Sequence, residues 1–308
     1  MLKAKKPKDA NEVGKERKPK FMVSGKAGVG KTMFALEFPN VYYIDSEGGA
    51  VREQYQKKLI ENGGAYMGKD EGSQNIKNII EEIKELATTK HDYKTLVIDS
   101  FSHIYNLEAA IAEERVGNDF GKDKKEANRP TRQLIRWLES LDMTVILIAH
   151  QKEKWSRVNG QLVNEGTTFD GFDKLEFILD LWIEIKKDKG SRKRTYEVKK
   201  SRIESFIEGT ENPLGYQEFA ELYGKAIIEK EAVPVNLAMP EQVETLNTML
   251  KLVTIPADTV EKWKTKCGVE NFDEMTSEQI QKCIDYVKGK VEEISPAPKA
   301  GKKMEVVR

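Results

Sequence analysis

The chain has 308 residues, which suffices for one main domain and a small appendage, and 39% of them are hydrophobic. Its 51 basic and 51 acidic residues cancel, which argues against a protein that coats DNA through overall positive charge. No apolar run approaches the roughly 20 residues that a membrane-spanning helix needs, and no signal-peptide pattern opens the chain. The two cysteines, Cys267 and Cys283, lack metal-ligand spacing. These properties predict a soluble, cytoplasmic protein that does not bind membranes.

Strand-like and helix-like segments alternate after a polar start. Residues 1–19 are rich in lysine, contain proline and show no apolar periodicity, so we predict a flexible basic tail. Short apolar runs typical of buried strands then alternate with helical periodicity. These runs begin at Phe21, Val41, Thr95 and Thr144. The alternation predicts an α/β fold whose mostly parallel sheet is covered by helices on both faces.

The pattern changes after Gln151. Two strand-like segments, residues 181–185 and 195–198, flank a turn at 189–191 and predict an antiparallel hairpin that extends the sheet. We therefore assign residues 20–230 to one core domain. Apolar residues recur at helical spacing in residues 231–294, which predicts a small C-terminal helical module. Residues 295–308 are predicted to be a second flexible tail.

A glycine-rich segment between the first strand and the next helix matches G-x-x-x-x-G-K-[ST]. Its glycines permit backbone N–H groups to wrap around phosphate oxygens, and the helix N-terminus adds a positive dipole. Lys31 is expected to neutralise the β and γ phosphates, and the Thr32 hydroxyl to bind Mg²⁺. The residues expected to bind the nucleotide are Gly25, Lys26, Ala27, Gly28, Val29, Gly30, Lys31, Thr32 and Met33. The motif predicts a P-loop NTPase with ATP and Mg²⁺ as cofactors.

Two acidic side chains are expected beside this loop, because the carboxyl ends of parallel strands meet at one edge of a sheet. Asp99 ends an apolar strand and is predicted to hold Mg²⁺ as a Walker B aspartate does. Glu47 follows the second strand and is expected to orient the water that attacks the γ-phosphate. The residues alone leave alternatives: Asp99 would cap the next helix, and Glu47 would be a solvated turn residue.

Taken together, these motifs resemble the core of the RecA-type recombinases. In that family an Asp-x-Glu follows the second strand and its glutamate activates water, as Asp45-Ser46-Glu47 would here. The family's Walker B strand is followed by Asp-Ser, which corresponds to Asp99-Ser100. The resemblance thus implies a RecA-like P-loop NTPase core with Glu47 as a catalytic residue.

Two further roles are implied by the same resemblance. A later strand in the family ends in a glutamine that contacts the γ-phosphate and begins a mobile DNA-binding loop, and Gln151 holds that place here. Basic residues after a hairpin strand reach the ATP of the neighbouring protomer in the family, which gives that role to Lys200 and Arg202. With Glu47 and Lys31, these residues complete the catalytic set that the resemblance implies.

The compact core, the strand end Ile-Ala-His-Gln and the small helical module look more specifically like the phage-encoded, Sak-type RecA-like ATPases of the AAA-type phage nucleotide-binding family. The resemblance covers roughly residues 20–215. It implies a homo-oligomer, ring or filament, that works on single-stranded DNA in the cytoplasm of a bacterial host, with a phage or host single-strand-binding protein as a further partner. RecA and its archaeal relatives place an oligomerising segment ahead of the core, where this chain has a short polar tail.

Two basic segments that contain an aromatic residue are candidates for contact with single-stranded DNA, since aromatic rings stack on bases and cations neutralise phosphates. The first lies in residues 113–132, which interrupt the α/β pattern. It contains Phe120, Lys122, Lys124, Lys125, Arg129 and Arg132. The second follows Gln151 and contains Lys152, Lys154, Trp155 and Arg157. Acidic residues dilute both segments, so solvated charged loops are the alternative.

The resemblance implies an ATP-dependent recombination protein that binds single-stranded DNA, promotes annealing or strand exchange, and hydrolyses ATP to ADP and phosphate faster when DNA is bound. Two other functions stay open. The loop sequence Lys26-Ala27-Gly28 is similar to the deviant Walker A loop of partition-type ATPases, although those carry glycine where Ala27 stands. An ATP-gated helicase loader with little hydrolysis is the other, and it is favoured if Glu47 points away from the nucleotide.

Overall fold

The computed structural model describes residues 17–117, 121–158, 160–188 and 190–294. Residues 1–16 of the predicted tail at 1–19 lie outside these ranges, as does the predicted tail at 295–308. Phe120 of the first DNA-binding candidate and Lys189 of the predicted turn lie outside them as well. Lys18, which the sequence assigned to the flexible tail, is buried instead. Its ammonium group donates to the carbonyl oxygen of Asp142 at 3.0 Å, which compensates for the loss of water.

Strands and helices mostly alternate over the first half of the chain, and further strands and helices follow up to residue 228. The strands are β1 (Lys20–Ser24), β2 (Val41–Asp45), β3 (Ala65–Met67), β4 (Thr95–Asp99), β5 (Thr144–Ile148), β6 (Gln151–Val158), β7 (Gln161–Phe169), β8 (Leu181–Lys187), β9 (Arg194–Ser201) and β10 (Glu211–Pro213). The helices of this part are α1 (Lys31–Leu36), α2 (Glu53–Glu61), α3 (Ile76–Thr88), α4 (Phe101–Val116), α5 (Lys122–Ser140), α6 (Leu175–Ile178), α7 (Tyr216–Tyr223) and α8 (Lys225–Ile228).

The main sheet has eight strands in the order β10-β9-β8-β1-β5-β4-β2-β3. Strands β8, β1, β5, β4, β2 and β3 run parallel, and β9 and β10 add an antiparallel extension at one edge. The predicted architecture is confirmed: an α/β core with a mostly parallel sheet, an antiparallel extension and a C-terminal helical part. The carboxyl ends of β1, β2, β4 and β5 meet at one edge, which positions the site described below.

Apolar strands form the centre of the core because helices cover both faces of the sheet. Phe21 and Ile146, on neighbouring strands, are fully buried. On one face an aromatic cluster joins β1, α1 and α7: the ring centroids of Phe21 and Phe219 lie 4.8 Å apart, and those of Phe34 and Phe38 lie 5.4 Å apart. This packing fixes α1, and with it the loop that precedes α1.

The chain divides after Pro234 into two compact units. The second contains α9 (Pro240–Leu252), α10 (Ala257–Cys267), a 3-10 turn (Phe272–Glu274) and α11 (Ser277–Ile294). Its core comprises Leu246, Met275, Ile280, Cys283, Ile284 and Val287. Within the ranges that the structure describes, no helix combines the length and apolar character needed to cross a membrane.

The two segments expected to be DNA-binding loops are regular secondary structure. Helix α4 continues to Val116 and α5 begins at Lys122, so the basic residues of the first segment lie on a helix although Pro130 is inside it. The helix tolerates the proline because an apolar stripe that includes Leu134 and Leu138 is buried against the core. The second segment is a β-hairpin, because β6 pairs with β7 along its length.

Candidate active site

The phosphate loop joins the end of β1 to the start of α1. A Cβ built on Gly25 would lie 2.6 Å from the carbonyl oxygen of Ile185, and φ of Gly25 is +143°, so only glycine fits there. Lys31 Nζ folds back over the loop and donates to the carbonyl oxygens of Gly25 and Lys26 at 2.8 and 3.0 Å. Burial lowers the pKa of Lys31, while the charges of Asp99 and Glu47 act in the opposite direction. The loop therefore holds its own cation close to where phosphates would bind.

Asp99 faces the first turn of α1 from the end of β4. Its Oδ2 accepts hydrogen bonds from Thr32 Oγ1 at 2.6 Å and from the hydroxyl group of Tyr43 at 2.7 Å. Burial raises the pKa of Asp99, and these two donated hydrogen bonds oppose the shift. Burial likewise raises the pKa of Tyr43 far above its ordinary value, so this residue remains a donor. Sequence reasoning missed Tyr43, which the pairing of β2 with β4 brings to Asp99.

These oxygen atoms are suitable ligands for Mg²⁺. Magnesium usually takes one or two protein oxygens together with phosphate oxygens and water. The Thr32 hydroxyl group and the Asp99 carboxylate lie within hydrogen-bonding distance of each other, which is close enough for both to serve one ion. In the described part of the chain, no three His, Cys, Asp or Glu side chains are grouped to hold a metal ion. The arrangement suits a Mg²⁺ ion that arrives with a nucleotide.

Asp45 holds the turn that presents Glu47. Its carboxylate is buried and accepts four backbone N–H hydrogen bonds, among them those of Gly48 at 2.7 Å and Ala50 at 2.9 Å. The hydroxyl group of Tyr66 donates to the same carboxylate at 3.0 Å. A buried carboxylate with five donors is well satisfied, so this turn is fixed relative to the end of β2.

Glu47 forms an ion pair with His150. Its Oε1 lies 2.7 Å from His150 Nε2 and also accepts a hydrogen bond from Ser100 Oγ. The hydrogen bond from His150 lowers the pKa of Glu47 to about 2, although burial acts in the opposite direction. The same hydrogen bond raises the pKa of His150. Glu47 is therefore ionised at neutral pH, and its charge acts on Lys31 and Asp99, so it lies near the phosphate loop.

His150 stands between this carboxylate and the β6–β7 hairpin. Its backbone N–H donates to Ser102 Oγ at 2.8 Å, and its carbonyl oxygen accepts from the N–H of Asp170 at 2.8 Å. Asp170 in turn accepts from Asn106 Nδ2 at 2.8 Å and pairs with Lys152 at 3.3 Å. The base of the hairpin is therefore connected to α4, the helix that follows Asp99.

The hairpin presents an aromatic residue and cations to solvent. Trp155 is 54% exposed, and its indole N–H donates to Glu153 Oε2 at 3.0 Å. Lys154 pairs with Glu165 across the hairpin at 3.4 Å. The side chains of Lys152 and Arg157 are exposed as well. The expected combination of a ring with cations is present, partly neutralised by acidic neighbours; its contact with DNA remains a prediction.

The basic residues of the first candidate segment lie on the exposed side of α5. Lys122, Lys125, Arg129 and Arg132 are three or four positions apart, which places them on one face of the helix. Lys124 is also exposed but lies off that row. Because this segment is a helix, its positive charges form a row along one face. Contact between this row and DNA remains a prediction.

Gln151 is the first residue of β6, and its side chain is turned toward β8. Its Nε2 donates to Glu184 Oε1 and to Thr167 Oγ1, both at 2.8 Å. Contact with a γ-phosphate would require it to leave these acceptors, and that contact remains a prediction.

Lys200 and Arg202 lie at the amino-terminal end of the parallel strands, whereas the phosphate loop lies at their carboxyl end. Strand β9 runs antiparallel to β8, so its last residue, Ser201, pairs with Leu181, the first residue of β8. Lys200 Nζ donates to the carbonyl oxygen of Leu179, and the Arg202 guanidinium donates to those of Phe177 and Ile178 at the end of α6. These cations cannot reach the phosphate loop of their own chain, and their action on a neighbouring protomer remains a prediction.

A cavity of about 920 Å³ lies at this opposite edge, away from the phosphate loop. Arg202, Lys18, Lys20 and Asp180 are among its lining residues. Burial lowers the pKa of Lys20 to about 8, and its Nζ donates to the carbonyl oxygen of Leu141 at 2.7 Å. No residue of the phosphate loop lines this cavity, so we do not assign the reaction to it in spite of its volume.

Arg194 is a further residue that sequence reasoning missed. It begins β9 and therefore lies at the phosphate-loop edge, unlike Lys200 and Arg202 on the same segment. A Cβ built on Gly30 would lie 3.2 Å from Arg194 Nε. Arg194 and Lys200 are distinguished by their positions at opposite ends of β9.

A glycine loop with Lys31 and Thr32, an aspartate that faces it from the end of β4, and a glutamate in the turn after β2 define the nucleotide site of a P-loop NTPase. Residues 17–203, more than half of the chain, match the family model described as an AAA domain. The chain belongs to this AAA-domain family.

Two solved structures are similar to part of the chain. The RadB recombinase is 17% identical with a TM-score of 0.42, and a KaiC-like protein from the hyperthermophilic archaeon Pyrococcus horikoshii OT3 is 19% identical with a TM-score of 0.40. Each similarity covers 63% of this chain and 84% of the other. At these scores the likeness says nothing about ligands. Among curated proteins, no sequence matches the chain significantly.

Proposed function

We propose that the protein is an ATP-dependent, phage-type DNA recombination protein that binds single-stranded DNA and promotes annealing or strand exchange. The observation that carries the proposal is the connection from the phosphate-loop edge through Glu47 and His150 to the exposed β6–β7 hairpin. A nucleotide-dependent change at Glu47 would be transmitted to the hairpin, and DNA bound to the hairpin would act back on Glu47.

In this proposal the loop from Gly25 to Thr32, together with Met33, binds the phosphates of ATP. Thr32 and Asp99 would hold Mg²⁺, which supplies neutralisation of the phosphate oxygens when bound. Lys31 would exchange its loop carbonyl acceptors for phosphate oxygens, a favourable exchange because the new acceptors are charged. Glu47, already ionised, would orient water toward the γ-phosphate once His150 releases one of its oxygens.

DNA would bind to the exposed face of the hairpin. Trp155 offers a ring for stacking on a base, and Lys152, Lys154 and Arg157 offer cations for the phosphodiester backbone. The basic row on α5 is a second candidate surface for the same strand. Binding would displace the hairpin relative to Ser102 and Asp170, and therefore displace His150, which both residues hold.

The site would be completed in an oligomer, ring or filament, by Lys200 and Arg202 of a neighbouring protomer. Their position at the edge remote from the phosphate loop suits a head-to-tail arrangement, in which opposite edges of the sheet face each other. The cytoplasm of a bacterial host, with a phage or host single-strand-binding protein as partner, belongs to the same proposal.

Annealing of two complementary oligonucleotides, labelled as a fluorescence donor and acceptor, tests this function. The protein with Mg²⁺ and ATP should accelerate the loss of donor fluorescence several-fold over the spontaneous rate. Lys31→Ala should abolish the ATP-dependent part, and Trp155→Ala should reduce the acceleration. Equal rates with and without protein, under conditions in which ATP is bound, would contradict the proposal.

A second function, an ATP-gated loader or switch with little hydrolysis, is favoured by one observation. Glu47 Oε1 is engaged by both Ser100 and His150, so this oxygen atom is occupied and is not available to orient water. Slow turnover that single-stranded DNA leaves unchanged, together with tight ATP binding, would support this alternative.

A further inference from the structure

The tip of the β8–β9 hairpin lies beside the phosphate loop. Strand β8 runs parallel to β1, so both strands end at the same edge of the sheet, and β9 begins there. The phosphate loop and β8 are in close contact, because a Cβ atom built on Gly25 would lie 2.6 Å from the carbonyl oxygen of Ile185 on β8. A side chain at the start of β9 can therefore contact whatever the phosphate loop binds.

This tip is strongly basic. Residues 186–194 contain six lysines and arginines and one acidic residue, Asp188. The Asp188 carboxylate accepts from the backbone N–H and the hydroxyl group of Ser191, so it is engaged within the turn. The ammonium group of Lys186 forms ion pairs with Glu197 at 2.6 Å and with Glu211 at 3.0 Å, so its charge is already paired. Within the described residues, no ion pair engages Arg194, so its charge is available for an anion.

Arg194 is the tip cation that lies on the loop itself. A Cβ built on Gly30 would lie 3.2 Å from its Nε, 3.3 Å from its Cδ and 3.9 Å from its Cζ. Its backbone is fixed on both sides, because β8 pairs it with Lys187 and the N–H of Leu214 donates to its carbonyl oxygen at 3.3 Å. The guanidinium therefore lies over Gly30, the loop residue that immediately precedes Lys31.

We propose that Arg194 binds the polyphosphate of a nucleotide held by the phosphate loop of its own chain. The assignment rests on the proposed binding of ATP. A guanidinium donates two parallel hydrogen bonds to phosphate oxygens, whereas Lys31 supplies a point charge. The role differs from that expected of Lys200 and Arg202, which lie at the other edge and could act only between protomers.

The affinities of ATP, ADP and AMP, measured by titration calorimetry on the full chain, test this assignment. Arg194→Gln should weaken ATP binding about tenfold or more, as expected for loss of a charge-assisted hydrogen bond. The loss should be smaller for ADP and slight for AMP. Arg194→Lys, which keeps the charge but not the paired donors, should retain part of the affinity. Lys193→Gln removes the same charge from the adjacent tip residue and should leave all three affinities unchanged.

Three results would overturn the assignment. Unchanged ATP affinity in Arg194→Gln would exclude a contact with the nucleotide. An equal loss for AMP and ATP would indicate a contact with the base, ribose or α-phosphate, which all three nucleotides share, instead of with the β and γ phosphates. An equal loss in Lys193→Gln would show a general effect of the basic tip. Failure of the unsubstituted protein to bind ATP would instead contradict the proposed function itself, and thus can be told apart from a failure confined to Arg194.

Discussion

The carboxylate of Glu47 and the imidazole of His150 form an ion pair in which Oε1 and Nε2 are 2.7 Å apart. Glu47 stands in a turn fixed by Asp45, and His150 is the residue before the β6–β7 hairpin. The pair therefore joins the group expected to act on water to the element expected to bind DNA. Both partners are partly exposed, so its importance would lie in position and coupling rather than in stability.

Glu47→Gln should lower ATP turnover by about 10²–10⁴-fold while leaving ATP affinity nearly unchanged. The amide keeps the size of the side chain but cannot act as a base, and general-base catalysis typically contributes a factor of that order. Turnover by phosphate release and affinity by calorimetry separate the two effects. Glu53→Gln, at an exposed position on α2, serves as the control. Turnover retained in Glu47→Gln would exclude this residue as the base.

The ion pair should depend on pH in a definite direction. The raised pKa of His150 means that its stabilising contribution is complete below its ordinary value of 6.5 and is lost as pH rises through the raised value. The pKa of Glu47, lowered to about 2 from 4.5, means that its contribution is complete above 4.5 and is lost as pH falls toward 2. The pair is thus fully formed between about pH 4.5 and 6.5.

Glu47→Gln should lower the pKa of His150, because the hydrogen bond to the carboxylate is what raises it. Titration of the imidazole resonances by NMR measures this directly, since the chain has three histidines. His91, whose ring contacts Tyr93 and the carbonyl oxygen of Leu86, provides the internal control. A His150 titration that is the same in both proteins would show that the pair does not form in solution.

Trp155→Ala should weaken binding of single-stranded DNA by about 1–3 kcal/mol, the range for loss of one base–aromatic stacking contact. Fluorescence anisotropy of a labelled oligonucleotide at fixed salt measures the change. Phe177→Ala removes another exposed ring, 66% exposed, from outside the hairpin and should have no effect. Equal affinities for Trp155→Ala and the unsubstituted chain would remove the hairpin from the DNA-binding surface.

Asp45→Asn should reduce the free energy of unfolding by about 1.5–3 kcal/mol, because an amide replaces a buried carboxylate that accepts several hydrogen bonds. Urea denaturation measures the loss, and Asp70→Asn, at an exposed position, is the matched control. Turnover should fall as well, since the turn that presents Glu47 loosens. A stability equal to that of the control would show that the Asp45 network contributes little.

Lys200→Ala should lose turnover but keep ATP affinity if Lys200 acts on a neighbouring protomer. Mixing Lys200→Ala with the inactive Lys31→Ala should then restore part of the activity. At mixed interfaces the intact phosphate loop of one variant meets the intact Lys200 of the other. Loss of ATP binding in Lys200→Ala, or mixtures inactive at every ratio, would contradict action between protomers.

The sequence predicted the parts of the site that depend on local patterns. The phosphate loop is a contiguous motif, and Asp99 and Glu47 were placed together because parallel strands end at one edge. The position of Arg194 beside Gly30 depends on β8 lying next to β1, and the Tyr43–Asp99 hydrogen bond depends on β2 lying next to β4. Neither register nor strand order is specified by local pattern.

The prediction that the two candidate DNA-binding segments are loops was wrong for a related reason. Residues 113–132 were expected to interrupt the α/β pattern, but burial of the apolar face of α5 outweighs the cost of Pro130 in that helix. The β6–β7 hairpin is mostly exposed and polar, so it lacks the apolar alternation by which strands are identified. In both segments long-range packing or pairing decides the structure.

The most direct test of the account is the rate of ATP hydrolysis with and without single-stranded DNA, with Lys31→Ala as the blank and duplex DNA as the comparison. We expect single-stranded DNA to raise the rate of ATP hydrolysis clearly and duplex DNA to raise it weakly, with no hydrolysis in Lys31→Ala. Turnover indifferent to DNA, or ATP bound without hydrolysis, would contradict the coupling of Glu47 to the hairpin through His150.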